Sequence, residues 1–321
     1  AHAIATADTE FLRLTLNTAR QLDLPPIRLV HALQNHDEMT YELVHFAATH
    51  ANDVFHFRGD DVPGSDLAQT IRSELIERLT GAAAPYNSIF TTNGIASTCA
   101  TIAAASLGCT DITDLTAEQV DKIKRAHLLM AMFNAWQPGV FALSGWDLCG
   151  MLTLPRAAIP ELLRSGDTRW IHRAAYDLMD YRPQGGESAS GIPRGTGLYG
   201  SLPQQLQDAT SFASRLCDIL SLRTRYRLAT GVQIDVPVVS DEAILVMVHQ
   251  LDTARLQVTV LNFADRRVAE RVTSDHLPAG AAVTDMITDA EIAEIDQDHT
   301  FPLLLEPHQG RSLLISPTPP L

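Results

Sequence analysis

The stretch that decides the fold is LPPIRLVHALQNHDEMTYELVHF, residues 24–46. Two prolines end the preceding helical pattern, and the short apolar run after them predicts a buried strand over residues 27–33. Four polar side chains, Asn35 to Glu38, follow directly, and residues 38–50 return to a helical period. A long helical pattern and a second short apolar segment, residues 140–145, repeat this order later in the chain. The repetition predicts parallel βα architecture, in which active sites collect at the carboxyl ends of strands.

Composition limits the classes of protein that fit. The chain has 321 residues, of which 45% are apolar, and a formal net charge of −14 at pH 7. That length predicts two domains, and the negative charge argues against nucleic acid and membrane partners. No zinc-like spacing relates Cys99, Cys109, Cys149 and Cys217. We therefore expect reduced structural thiols in a cytoplasmic protein.

The pattern of the sequence changes near residue 231. Residues 208–231 read as an amphipathic helix closed by Gly231. After it come short strand-like segments separated by turn residues: 243–250, 256–264, 266–273, 281–288 and 311–317. This pattern predicts that residues 232–321 form a small antiparallel β-sandwich domain.

The polar segment after the first predicted strand is the strongest chemical signal. An aspartate can accept hydrogen bonds from two vicinal sugar hydroxyls while a neutral histidine bonds a third, so Asp37 beside His36 suits carbohydrate binding. The structural alternative is a polar turn whose Asp or Asn caps the next helix. Glu42 and His45 form E-x-x-H on the predicted helix, but no second copy completes a di-iron site, and no metal is predicted.

The segment LVHALQNHDE, residues 29–38, resembles the seventh-strand segment of the α-amylase superfamily, glycoside hydrolase family 13. The longer run NHDEMTYELV is similar to that of the trehalose synthase group, also called maltose α-D-glucosyltransferases. PGVFALSGWDLCGM, residues 138–151, falls where the superfamily has its eighth strand, although Ser144 to Trp146 depart from its usual sequence.

This resemblance implies an α/β fold. Residues 1–231 would be the C-terminal part of a (β/α)8 TIM barrel, from barrel helix six through strands seven and eight to helix eight, with an insert at about 51–118. The β-sandwich at 232–321 would follow it. Nothing in the sequence matches the superfamily's G-F-R-x-D nucleophile segment or its fifth-strand general acid. We therefore expect this chain to be the C-terminal part of a longer enzyme.

The implied activity is interconversion of maltose and trehalose by intramolecular glucosyl transfer, an isomerase-class reaction. Asp37 would be the catalytic carboxylate present in this chain. The implied substrate-binding residues are His36, Asn35, Glu38 and Glu42. No cofactor and no metal at these residues is expected, and a structural calcium ion would belong to the missing N-terminal part.

Two alternatives remain open from the sequence. One is a related α-glucosidase or amylosucrase-like transglycosylase. The other is a non-catalytic carbohydrate-binding protein that lacks the nucleophile. In each case the expected partner is a small disaccharide, with no nucleic acid and no membrane. The remainder of the barrel would be a further partner, and a homo-oligomer stays open.

Overall fold

The computed structural model describes residues 1–182 and 184–316. The chain divides into two compact units whose segments alternate along the sequence. The first unit comprises residues 1–6, 33–127 and 143–214, and the second comprises residues 7–32, 128–142 and those from Arg215 onward. These units do not coincide with the predicted division between residues 231 and 232, which stays a prediction.

The described residues form α-helices and short strands in mixed order. The α-helices are α1 (His2–Thr6), α2 (Glu10–Gln21), α3 (Gly64–Leu79), α4 (Cys99–Ser106), α5 (Ala117–Ala135), α6 (Gly145–Cys149), α7 (Leu202–Gln205) and α8 (Phe212–Arg225). The strands are β1 (Val30–Ala32), β2 (Met39–Thr40), β3 (Val54–Phe57), β4 (Asp60–Pro63), β5 (Ser88–Thr91), β6 (Gly94–Ala96), β7 (Val140–Ala142), β8 (Val232–Asp235), β9 (Ile244–Gln250), β10 (Leu256–Asn262), β11 (Val268–Thr273), β12 (Ala282–Asp285), β13 (Glu291–Glu294), β14 (Thr300–Leu305) and β15 (Gly310–Ser316). Across these described helices, none is both long and apolar enough to cross a membrane.

The two predicted barrel strands exist and are neighbours. β1 pairs with β7 in parallel, with Val30 opposite Val140 and Ala32 opposite Ala142. The first strand is shorter than predicted because Pro26–Arg28 forms a 3₁₀ turn. The prediction that these strands are buried is wrong, since Val30 of β1 is 64% exposed and Val140 of β7 is 53% exposed. The reason is that, in the described part of the chain, the sheet consists of these two strands only.

The second unit contains the predicted antiparallel β region. Six strands form one sheet in the order β13-β12-β15-β10-β9-β8, and β11 pairs with β14 in a second sheet. Side chains from both sheets form one apolar core that includes Val246, Val260, Val272, Phe301 and Leu313. Shared burial between two antiparallel sheets is the packing of a β-sandwich. The five predicted strand segments correspond to β9, β10, β11, β12 and β15.

The segment after the polar cluster does not form the predicted helix. Residues Met39–Thr40 instead form β2, which pairs with β6, and the N–H of Tyr41 donates to Asn93 O at 2.9 Å. Leu43 then adopts a left-handed conformation, with φ at 51°, and a π-helix begins at His45. Pairing with a strand more than fifty residues away has overridden the local helical period.

Candidate functional site

The polar segment from Asn35 to Glu38 belongs to the first unit and forms a bend that leads into β2. The side-chain oxygen of Asn35 accepts a hydrogen bond from the backbone N–H of Asp37 at 2.8 Å, which is an Asx-turn. The polar turn of the structural alternative is therefore present, but its helix-capping part is wrong, because the next element is the strand β2 and neither Asn35 nor Asp37 caps a following helix. Asn35 therefore shapes the turn, and the carboxylate of Asp37 is available for other contacts.

Asp37 lies beside two arginines of the same unit. Arg169 Nη1 donates to Asp37 Oδ1 at 3.0 Å, and Arg173 Nη2 lies 3.7 Å from the same oxygen. The other oxygen, Oδ2, lies 3.5 Å from His36 Nε2, and the Asp37 side chain is 44% exposed. One carboxylate oxygen is thus held by a cation, and the side chain as a whole remains partly exposed to solvent.

Asp167 holds Arg169 in this position. Arg169 Nε donates to Asp167 Oδ1 at 2.8 Å, and Nη2 donates to Oδ2 at 3.0 Å. This paired bond with Arg169 lowers the pKa of Asp167 and raises that of the guanidinium. The Arg169 guanidinium also stacks on Phe90, and its Cζ lies 4.2 Å from the centroid of the ring. Bidentate bonding and stacking together restrict the arginine to one orientation.

His36 contributes differently through its backbone and its side chain. Its carbonyl oxygen accepts from Arg173 Nε at 2.7 Å and lies 3.1 Å from His172 Nε2. Burial lowers the pKa of His172, which favours a neutral ring that donates from Nε2. The His36 ring itself is 74% exposed. The backbone of His36 is therefore held in place, and its imidazole is accessible to a ligand from solvent.

Glu38 is mostly enclosed, with a side chain only 12% exposed and Oε2 3.7 Å from Arg169 Nη1. Within the described residues, Oε2 is buried without a hydrogen bond. Gly94 faces this side chain, and a Cβ at that position would lie 2.7 Å from Glu38 Cγ. The absence of a side chain at Gly94 is thus what makes room for Glu38.

Glu42 does not lie on one helix face with His45, although the sequence predicts that it does. The left-handed Leu43 separates it from the π-helix that begins at His45, so the two are not one turn apart on one helix face. Arg72 binds the backbone carbonyls of Tyr41 and Glu42. The Glu42 residue is exposed, and its carboxylate makes no hydrogen bond or ion pair with any described residue.

The segment DTRWIHR, residues 167–173, is not predicted from the sequence to belong to the site. It supplies Asp167, Arg169, His172 and Arg173. Most of it forms a 3₁₀ helix, Thr168–His172. The available signal was an aspartate followed two and six positions later by arginines that flank Trp170. Charged side chains around an aromatic ring in a loop indicate an ion-pair network as readily as a binding site, so the sequence alone does not single them out.

Comparisons with known proteins report on the fold. No family model and no curated protein matches this chain. A point mutant of the trehalulose synthase MutB, an enzyme of Pseudomonas mesoacidophila MX-45, is 14% identical and covers 96% of this chain and 47% of its own, with a TM-score of 0.50. An Anoxybacillus α-amylase is 10% identical, covers 87% of this chain and 47% of its own, and has a TM-score of 0.42.

A third structure, the α-amylase of Geobacillus thermoleovorans with acarbose, is 15% identical over 67% of this chain and 36% of its own, with a TM-score of 0.42. These structural neighbours are α-amylase superfamily enzymes with TIM barrels, matched over part of their chains. At such low identity the MutB similarity shows the fold alone. The chain spans about half the length of MutB or less.

Proposed function

We propose that this chain is the C-terminal part of a retaining enzyme that interconverts maltose and trehalose by intramolecular glucosyl transfer. The proposal rests mainly on the contacts and exposure of the Asp37 carboxylate. Arg169 binds one carboxylate oxygen at 3.0 Å, while the other lies 3.5 Å from Nε2 of the exposed His36 ring in a side chain that is 44% exposed. A partly exposed carboxylate that a cation already orients can accept hydroxyl hydrogen bonds without losing its orientation.

The proposed role of Asp37 is to bind the sugar more tightly in the transition state than in the ground state. Retaining glycoside chemistry uses a nucleophilic carboxylate and a carboxyl acid, which form and then resolve a glycosyl-enzyme. In this proposal the preceding part of the enzyme supplies both groups. Asp37 accepts from hydroxyls of the glucosyl ring as the ring flattens, and His36 bonds the same sugar.

Isomerisation also requires that the released glucose stays in the site while water is excluded. Glu42 is exposed and carries a carboxylate without a partner among the described residues, so we assign it to the departing glucose. Glu38 is predicted from the sequence to bind substrate, but its side chain is only 12% exposed and lies against Arg169, so we propose instead that it holds the arginine that orients Asp37. Asn35 contributes by fixing the turn through its 2.8 Å hydrogen bond.

Product analysis tests the proposal. The complete reading frame that contains this chain is expressed, and the purified enzyme is incubated separately with maltose, trehalose and sucrose. Trehalose formed from maltose, and maltose from trehalose, with little free glucose, is the expected result. Glucose as the main product indicates an α-glucosidase, and turnover of sucrose alone indicates a transglycosylase of that substrate. Saturable binding of maltose without any turnover indicates a carbohydrate-binding protein.

A further inference from the structure

Three side chains of the first unit, far apart in sequence, converge in its interior. Cys99 opens α4, His127 lies within α5, and Asp147 lies within α6. One potential ligand atom from each lies within 4.8 Å of the others. Cys99 is 5% exposed, His127 0% and Asp147 1%. Buried groups of this kind need partners, because an unpaired polar atom away from water is unfavourable.

Two of the three atoms lack a hydrogen bond within the part of the chain that the structure describes. They are His127 Nε2 and Asp147 Oδ1, and the two atoms lie 3.4 Å apart. That separation is longer than an ordinary charge-assisted hydrogen bond. Two buried polar atoms this close that do not hydrogen-bond each other are candidates to share a further ligand.

The remaining atoms of these two side chains are fully engaged. Tyr199 Oη lies 3.0 Å from His127 Nδ1. The N–H of Ser144 donates to Asp147 Oδ2 at 2.9 Å, and its hydroxyl donates to the same oxygen at 3.2 Å. Metal-binding histidines and carboxylates are typically oriented in this way, through hydrogen bonds to the atom that does not bind the metal.

We propose that Cys99, His127 and Asp147 bind one zinc ion, with water or another small ligand in the fourth position. Bonds from zinc to nitrogen and oxygen are about 2.0–2.2 Å long, which separates two such ligands at the tetrahedral angle by roughly 3.3–3.5 Å. The 3.4 Å between Nε2 and Oδ1 matches that separation. A thiolate and an imidazole favour zinc over calcium or magnesium, which prefer oxygen ligands.

The thiol completes the set by giving up its proton. Cys99 Sγ now donates to Leu33 O at 3.0 Å. Burial, and after it the charge of Asp147, raises the pKa of this thiol well above its ordinary value. A divalent cation would offset both effects, so that the thiolate forms on metal binding and the proton leaves to solvent. The proposal does not depend on Asp37 or on the sugar chemistry proposed above.

The experiment measures metal in the protein directly. The protein is expressed in minimal medium with zinc and, separately, with cobalt(II) in place of zinc, and is purified without chelators. We expect about one metal ion per chain by elemental mass spectrometry and, in the cobalt protein, a thiolate-to-cobalt charge-transfer absorption. Metal well below one ion per chain in both preparations overturns the proposal, and so does one cobalt per chain without that absorption.

Variants assign the ligands. Cys99→Ser should lose the charge-transfer absorption, while Cys217→Ser, at an exposed cysteine, should keep it. Tyr199→Phe should keep the absorption and weaken metal affinity roughly 10- to 100-fold. Circular dichroism confirms that each variant is folded. If Cys99→Ser does not fold, His127→Gln is used, for which retained stoichiometric metal refutes the assignment.

Discussion

Replacement of Asp37 by asparagine separates a role in sugar binding from a role in the fold. The substituted amide keeps the size of the carboxylate and can still accept from Arg169 through its oxygen. The turn is unaffected, because Asn35 bonds the backbone N–H of residue 37 and not its side chain. What changes is the oxygen that Arg169 does not bind. It is replaced by an amide NH2 group, which donates a hydrogen bond where the proposal requires an acceptor.

The expected magnitudes differ between stability and rate. The ion pair of Asp37 and Arg169 is partly exposed, with side chains 44% and 26% accessible, so its loss should lower the free energy of unfolding by about 0–1 kcal/mol. Loss of one contact directed at the transition state costs roughly 3–4 kcal/mol, or about 10²–10³ in rate. The assay measures trehalose formed from maltose by the complete enzyme, together with its melting temperature.

Asp296→Asn is the matched control. Asp296 pairs with Arg271 at 3.0 Å and is 42% exposed, so it resembles Asp37 in its arginine pair and accessibility, although its Oδ1 also accepts from the backbone N–H groups of Asp298 and Thr300. It belongs to the second unit. We expect this variant to retain nearly full activity with a similar small change in stability. Near-normal turnover by Asp37→Asn, or an equal loss in both variants, would refute the assignment of Asp37 to the site.

Three further predictions concern other residues. Glu42→Ala should raise free glucose relative to trehalose in products from maltose, because the departing glucose is held less well, whereas an unchanged ratio removes Glu42 from the site. Burial lowers the pKa of His249 to about 3, so the folded state resists its protonation, and the unfolding free energy should fall by up to about 1 kcal/mol per pH unit between pH 6.5 and 3. Urea titrations should show a shallower fall for His249→Phe, and an identical slope would contradict this. Val30→Thr, at a side chain 64% exposed, should change stability by less than about 0.5 kcal/mol. Val248→Thr, at a fully buried side chain, should cost at least about 1 kcal/mol, and equal effects would show that Val30 is buried in solution.

How much of the fold the sequence predicts depends on how local each signal is. β1 and β7 are predicted because each is a short apolar run that begins near Pro or Gly and ends at polar residues. β13 and β14 are missed because Glu291 and Glu294 flank one and Pro302 interrupts the other. The helix predicted after residue 38 is wrong because its partner strand, β6, begins at Gly94. Local periodicity carries no information on that pairing.

The same difference between local and long-range signals applies to the candidate site. The four residues from Asn35 to Glu38 are contiguous, so their composition alone indicates a function. Arg169, which holds Asp37, is 132 positions away along the chain, and nothing near it in sequence connects the two. The same is true of Cys99, His127 and Asp147, whose spacing fits no metal-binding motif although the fold brings them together.

The cluster around Asp37 and the cluster of Cys99, His127 and Asp147 differ in how readily they can exchange a bound ligand with solvent. At Asp37 each charge has an opposite charge nearby, and the outer side chains are exposed. A ligand can therefore enter and leave without exposing a buried charge. At Cys99, His127 and Asp147 the side chains are almost inaccessible, and two of the proposed ligand atoms have no hydrogen bond among the described residues. Because any cation bound there must shed most of its water and can escape only if the surrounding helices open, that cluster suits retention of an ion, whereas the cluster at Asp37 suits turnover of a substrate.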